Sequence, residues 1–203
     1  MSRKFEETKL VIATHNSGKL EEFRALFSPR GVEVVSAGEL GLPEPDETET
    51  TFLGNARIKA RAAMEATGLP ALADDSGLCV DGLNGAPGVY TADWAETPEG
   101  RDFPMAMEKV NAALEEAEIP APWTAHFNCT LVMIWPDGEE VRAVGEVNGT
   151  LAWPYRGQTG HGFDPMFQPD GETRTFAEMA PEEKNRISHR ARAIHKLMEQ
   201  IFG

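Results

Sequence analysis

A β-forming run, Lys9-Leu10-Val11-Ile12-Ala13-Thr14, passes through a short polar segment into a helix pattern with Leu20, Phe23 and Phe27 at helical spacing. That spacing puts the three apolar residues on one helix face. Val32-Glu33-Val34-Val35 then reads as a second strand. Strand, helix, strand in this order points to an α/β architecture.

The remaining chain extends that pattern. An acidic, proline-bearing loop is expected over residues 41–51, and an alanine-rich helix over 51–67, closed by Gly68 and Pro70. Ala71-Leu72-Ala73-Asp74-Asp75 is expected as a short strand ending in its acids, and Asn84-Gly85-Ala86-Pro87-Gly88 as loop. Another helix is expected over 105–118. Residues 124–135 and 139–151 read as long strands joined by the turn Pro136-Asp137-Gly138 in an antiparallel hairpin. The glycine- and aromatic-rich stretch 153–170 has the composition of a binding loop. A last helix is expected to carry Ile187, Ala191, Ile194, Met198 and Ile201 on one face. With no repeat, low-complexity tract or linker, residues 1–203 are expected to form a single two-lobed domain.

Charge narrows the function. The chain has 19 basic and 33 acidic residues, a formal net charge of -14. That excludes the broad basic surface of a general nucleic-acid binder and argues against an anionic membrane surface. A few lysines in a cleft can still take a small polyanion. No stretch approaches the roughly 18 apolar residues of a membrane span. The start, Met1-Ser2-Arg3-Lys4-Phe5-Glu6-Glu7, lacks the apolar core of a signal peptide. Cys79 and Cys129 form no C-x-x-C and lie in apolar segments, so buried reduced thiols in a cytoplasmic protein are expected.

Five segments carry chemistry. Thr14-His15-Asn16-Ser17-Gly18-Lys19 leaves a strand and opens a helix, which aims backbone N–H groups and a lysine at an anion. Ala13 and Leu20 stand where a P-loop needs Gly and Ser or Thr, so this is not a Walker A motif. The plainer alternative is a helix capped by Asn16 or Ser17 with Lys19 in solvent. Asp74 and Asp75, followed by Ser76-Gly77, suit Mg²⁺ binding or water orientation, or else a polar turn. Alternation along a strand would let only one of the two acids meet a metal directly. Glu47, Phe52, Asn55 and Lys59 could line a cleft from the start of a helix, or form its solvated first turns. Gly160-His161-Gly162-Phe163-Asp164-Pro165 could let backbone and ring approach a flat ligand, or hold a packed phenylalanine. Lys184 with Ser188-His189-Arg190 groups donors at and before a helix start, suited to phosphate or to carbonyl oxygens of a base, or forms a basic helix face. Histidines at 15, 126, 161, 189 and 195 form no zinc pattern, and no G-x-S-x-G elbow supports a Ser-His-Asp triad.

In this order, and together with Gly85-Ala86-Pro87-Gly88-Val89-Tyr90, these segments resemble the inosine triphosphate pyrophosphatase family. The resemblance covers nearly the whole chain. It implies a two-lobed α/β fold with a long mixed sheet, flanking helices and a cleft, in a homodimer. It also implies hydrolysis of ITP, dITP and XTP to the monophosphate and pyrophosphate. Matched by position, Asp75 looks like the catalytic carboxylate and a Mg²⁺ ligand, with Asp74 and Glu47 as further metal-site acids. Thr14, His15, Asn16, Ser17, Gly18 and Lys19 look like the triphosphate grip, with Ser76 nearby. His161, Gly162, Phe163, Asp164, Lys184, His189 and Arg190 look like the base pocket, and Asn55 and Lys59 like further substrate contacts. Many members have Gly where this chain has Glu49, and Phe where it has His161, whose imidazole stacks with less apolar area. Competing expectations are a related pyrophosphatase of different base preference and a nucleotide-binding regulator without hydrolysis.

Overall fold

The computed structural model describes residues 3–203; Met1 and Ser2, the first residues of the N-terminal stretch, lie outside the described residues. In chain order the elements are β1 (Lys9–Ile12), α1 (Ser17–Phe27), β2 (Glu33–Ser36), α2 (Phe52–Thr67), β3 (Ala71–Val80), β4 (Glu96–Thr97), β5 (Gly100–Arg101), α3 (Phe103–Glu116), β6 (Thr124–Ile134), β7 (Glu140–Leu151), β8 (Phe167–Pro169), α4 (Pro181–Ile187) and α5 (His189–Phe202). The main sheet has the order β2-β1-β3-β6-β7-β8 and is mixed, because β1 runs parallel to β2 and β3 while β7 and β8 are antiparallel. β4 and β5 form a separate ribbon.

The chain divides into two compact units, Met1–Asp75 with Thr130–Val144 and Ala193–Gly203, and Ser76–Cys129 with Gly145–Arg192. In the first, β1 pairs Leu10 with Val34 and Ile12 with Leu72. Its Leu10, Val11 and Ile12 are all buried, as a continuous apolar run is in a parallel strand covered on both faces. Leu20, Phe23 and Phe27 form the buried face of α1. On α2 that face is Ala56, Ala60 and Ala63, with Ala73, Val132 and Ile134 in the same core region as the first two. The expected hairpin turn is present: Trp135 N–H donates to Glu139 O at 3.0 Å and Gly138 N–H to Trp135 O at 2.9 Å.

The second unit is centred on Leu78, Met107, Val110, Leu114, Phe127, Phe163, Phe167 and Phe176. Here α3 begins two residues before its expected start. Asp102 caps it by accepting from Met105 N–H at 2.9 Å, and Pro104 suits the first turn.

Two expectations need correction. The strand carrying the acid pair does not stop at Asp75 but runs on to Val80. Its later backbone groups find partners in the following turn, where Leu78 N–H donates to Thr91 Oγ1 at 2.9 Å and Val80 N–H to Ala86 O at 3.1 Å. Ser76-Gly77 is therefore strand, not turn. The last helix is also divided. Ser188 is extended at φ -65°, ψ 159°, and its hydroxyl accepts from Ala191 N–H at 3.1 Å, starting α5 afresh. Ile187 thus ends α4, and the buried face of α5 is Ala193, Ile194, Leu197 and Ile201.

β8 pairs with β7 only at Gly149, Thr150 and Leu151. Over the earlier part of β7, Lys196 Nζ donates to Val144 O at 2.6 Å and Arg192 Nη1 to Glu146 O at 2.9 Å. Cys79 and Cys129 are both buried, and burial, then Glu146 and Asp81, pushes the Cys79 thiol up to about 11.

Candidate active site

In the first unit the chain leaves β1 at buried Thr14, whose Oγ1 accepts from Asn16 N–H at 3.1 Å. Asn16 is extended, and its Oδ1 accepts from Lys19 N–H at 3.0 Å, so Asn16 rather than Ser17 is the cap of α1. Ser17 and Gly18 are exposed in the first turn. His15 Nε2 donates to Leu42 O at 2.8 Å, which ties this segment to the acidic loop. Lys19 does not point into solvent. Its Nζ lies 2.9 Å and 2.7 Å from the two oxygens of Asp74.

Asp74 and Asp75 are 5% and 7% exposed in the middle of β3. Lys59, from α2, places Nζ 2.7 Å from Glu47 Oε1 and 3.6 Å from Asp75 Oδ1. Asn55, one turn earlier and 2% exposed, accepts from Glu49 N–H at 2.9 Å and hydrogen-bonds Asp75. Both ends of its amide are thus used within the protein, which makes it a brace between loop and acid rather than an open ligand contact.

Burial pushes the Asp75 carboxyl up to about 6; Lys59 opposes the rise, Glu47 and Asp74 add to it, and the Asn55 bond works against it. Burial pulls Lys59 the other way, but Asp75, Asp74 and Glu47 outweigh it and hold the ammonium above its ordinary range. Mg²⁺ prefers hard carboxylate oxygens. Glu47 and Asp75 already flank one cation, the Lys59 ammonium, and the raised Asp75 pKa marks a position where added positive charge is favourable. The donor chemistry of this pair fits the ion. Both Asp74 oxygens are engaged by Lys19, and among the described residues no group of three or more His, Cys, Asp or Glu side chains is disposed to hold a metal.

In the second unit, Asp164 is 2% exposed. It accepts from His161 N–H at 2.7 Å and from the Lys184 ammonium. The loop needs glycine at 160, where φ is +81° and a Cβ would collide with Asp164 Oδ2. His161 is exposed and Gly162 half-buried. Of the two readings of Phe163, a ring facing a flat ligand or a packed phenylalanine, its geometry matches the second: it packs edge-on against Phe103 with centroids 5.8 Å apart and is 1% exposed. Its ring belongs to the core, so only its backbone is available to a ligand. Ser76 opens this unit and is half-buried. His189 and Arg190 form the first turn of α5, and the His189 ring stacks on Phe127 with centroids 4.8 Å apart. Sequence reasoning gave no role to Phe127 or to the Leu42 carbonyl. A phenylalanine within a β-forming run carries no sign that it will lie under a polar ring.

The Ham1 family profile matches residues 10–200. A dITP/XTP pyrophosphatase of Ruegeria pomeroyi is 60% identical over 203 residues, the whole of both chains. The dITP/XTP pyrophosphatase of Brucella melitensis is 54% identical, covering 99% of this chain and 96% of its own. A solved HAM1 protein from Coxiella burnetii superposes with a TM-score of 0.89 at 37% identity, covering 95% of this chain and 98% of that one.

Proposed function

The chain belongs to the Ham1 family, and from that premise we propose that it hydrolyses the non-standard purine nucleoside triphosphates dITP, ITP and XTP to the monophosphate and pyrophosphate, removing them from the nucleotide pool. The observation that carries this reading is the charge array of Lys19 with buried Asp74, and of Lys59 with Glu47 and buried Asp75. Two ammonium groups held against three carboxylates suit a polyphosphate and the counter-ion that accompanies it.

Lys19 and the N–H groups opening α1 bind phosphate oxygens, with Thr14 to Gly18 shaping that turn and Ser76 beside the acids. Asp75 is mostly ionised at neutral pH, yet with a pKa of about 6 it is basic enough to accept a proton from the attacking water. Lys59 pairs with Glu47 and opposes the rise in the Asp75 pKa, and Asn55 fixes the direction of the Asp75 carboxylate. Asp75 and Glu47, with Asp74 adjacent, would hold Mg²⁺, which would supply neutralisation of phosphate charge.

Lys184, His189, Arg190 and the backbone of His161 to Asp164 take the base. Hypoxanthine and xanthine present an acceptor oxygen at C6, where adenine presents a donor amine. A donor facing that position accepts the first two and leaves a mismatched pair with the third, which supports discrimination of up to about 10⁴ to 10⁵. The same reading includes a homodimer, a cytoplasmic location supported by the two buried thiols, and a single domain over residues 1–203.

Pyrophosphate release with Mg²⁺ across dITP, ITP, XTP, dATP, dGTP and pyrimidine triphosphates tests the reading. Pyrophosphate from the first three, with kcat/KM far above that for dATP, is expected. Comparable kcat/KM for dATP, or release of orthophosphate alone, overturns it.

A further inference from the structure

In the second unit three phenylalanines pack on one another beneath two polar side chains. Phe127 stacks under His189 with centroids 4.8 Å apart and planes 14° apart. Phe127 also stacks with Phe176 at 6.0 Å and 23°, and Phe176 lies 5.5 Å from Lys184 Nζ, over its ring face. Phe167 wedges against both, at 4.6 Å from Phe127 and 5.2 Å from Phe176. All three rings are buried in one core.

We infer that Phe127 and Phe176 form a specificity-determining platform, in which Phe127 fixes the imidazole plane of His189 and Phe176 fixes the ammonium of Lys184. The inference rests on the reading of His189 and Lys184 as groups that meet the base. A polar pocket rejects a mismatched base only as far as its donors cannot step aside. The terminal torsion of histidine is broad when nothing restrains it, and His189 is the first residue of its helix. A near-parallel ring face removes that freedom. Lys184 is restrained from two directions, by the carboxylate of Asp164 and by the face of Phe176. Because the supporting rings touch each other in a close-packed core, a shift under one donor is transmitted to the other. A phenylalanine placed only to fill volume has no need to give a parallel face to a polar side chain. Here Phe127 gives that face to His189 and turns a tilted contact of 58° to Phe167.

The test is the ratio of kcat/KM for dITP to that for dATP in Phe127→Leu and Phe127→Met, with Phe127→Tyr as the ring-retaining control. Methionine fills the space flexibly and carries the test should leucine leave too large a cavity. The ratio is expected to fall at least tenfold in the leucine and methionine variants and to stay within threefold of wild type in the tyrosine variant. A folded leucine or methionine variant with an unchanged ratio overturns the inference, as does loss of the ratio in the tyrosine variant. Wild-type protein without preference for dITP over dATP overturns the base-pocket reading itself, a distinct outcome visible before any variant is made.

Discussion

Lys19 Nζ is held by both oxygens of Asp74, at 2.9 Å and 2.7 Å. A lysine clasped by a carboxylate that is 5% exposed is a fixed charge rather than a solvated tail. Lys19→Met removes that charge and leaves Asp74 without its lysine. Stability is expected to fall by about 2 to 4 kcal/mol, below the full range for a buried pair because the lysine is partly exposed. The KM for dITP is expected to rise at least tenfold. Denaturant unfolding and steady-state kinetics measure both, and an unchanged KM contradicts a phosphate-binding role.

Asp75→Asn is expected to reduce turnover by at least 10³-fold while nucleotide binding survives. Its effect on stability depends on pH. The native pKa of about 6 lies above the ordinary 3.8, so folding favours the protonated acid. The stability from that preference is complete below about pH 4 and is lost as pH rises through about 6. In metal-free buffer the asparagine variant should therefore unfold at a higher temperature than wild type at pH 7.5, by the equivalent of up to about 3 kcal/mol, and close to wild type at pH 4. Melting curves at the two pH values decide it.

The same titration sets the activity profile. The working form of Asp75 is ionised, so kcat/KM for dITP should fall on the acid side, with a midpoint that moves below the metal-free value of about 6 as Mg²⁺ is raised. Chelation of divalent cations should abolish turnover and added Mg²⁺ restore it. A rate insensitive to chelator would remove the metal from the account.

Asn55→Leu keeps the volume of a buried side chain but removes the bonds to Glu49 N–H and Asp75. A loss of about 1 to 3 kcal/mol is expected from the unsatisfied backbone group. Since the amide aims Asp75 rather than binding substrate, kcat should fall much more than KM rises. An effect confined to KM would return Asn55 to the substrate contacts.

Gly160→Ala forces a side chain into a backbone at φ +81° and against the Asp164 carboxylate. A loss of about 1 to 3 kcal/mol is expected, with weaker dITP binding as the Asp164–Lys184 pair is displaced. Thermal melting and the KM for dITP check it, and wild-type values in both would show that the loop yields freely.

The α/β class was legible because Leu10 to Ile12, Leu20, Phe23 and Phe27 carry their own periodicity. What failed to read through were local competitions decided by tertiary partners. Ser76-Gly77 has turn composition, yet Thr91 and Ala86 supply bonds that keep the strand going. Ser188 sits inside a continuous apolar pattern, yet its hydroxyl starts a new helix. At the site, residue types that bear charge announced themselves, whereas their pairings did not. Nothing local says that Lys19 turns to Asp74, fifty-five positions away, or that Phe163 turns inward to Phe103.

The two cationic tips set against β7 have a bearing on solubility. An uncovered strand margin is a template on which any extended peptide can add itself, including a partly unfolded sibling. Lys196 and Arg192 occupy the Val144 and Glu146 carbonyl groups that such a guest would need. Replacing both side chains with neutral ones is expected to free those two carbonyl groups and so make this border more receptive to an added strand.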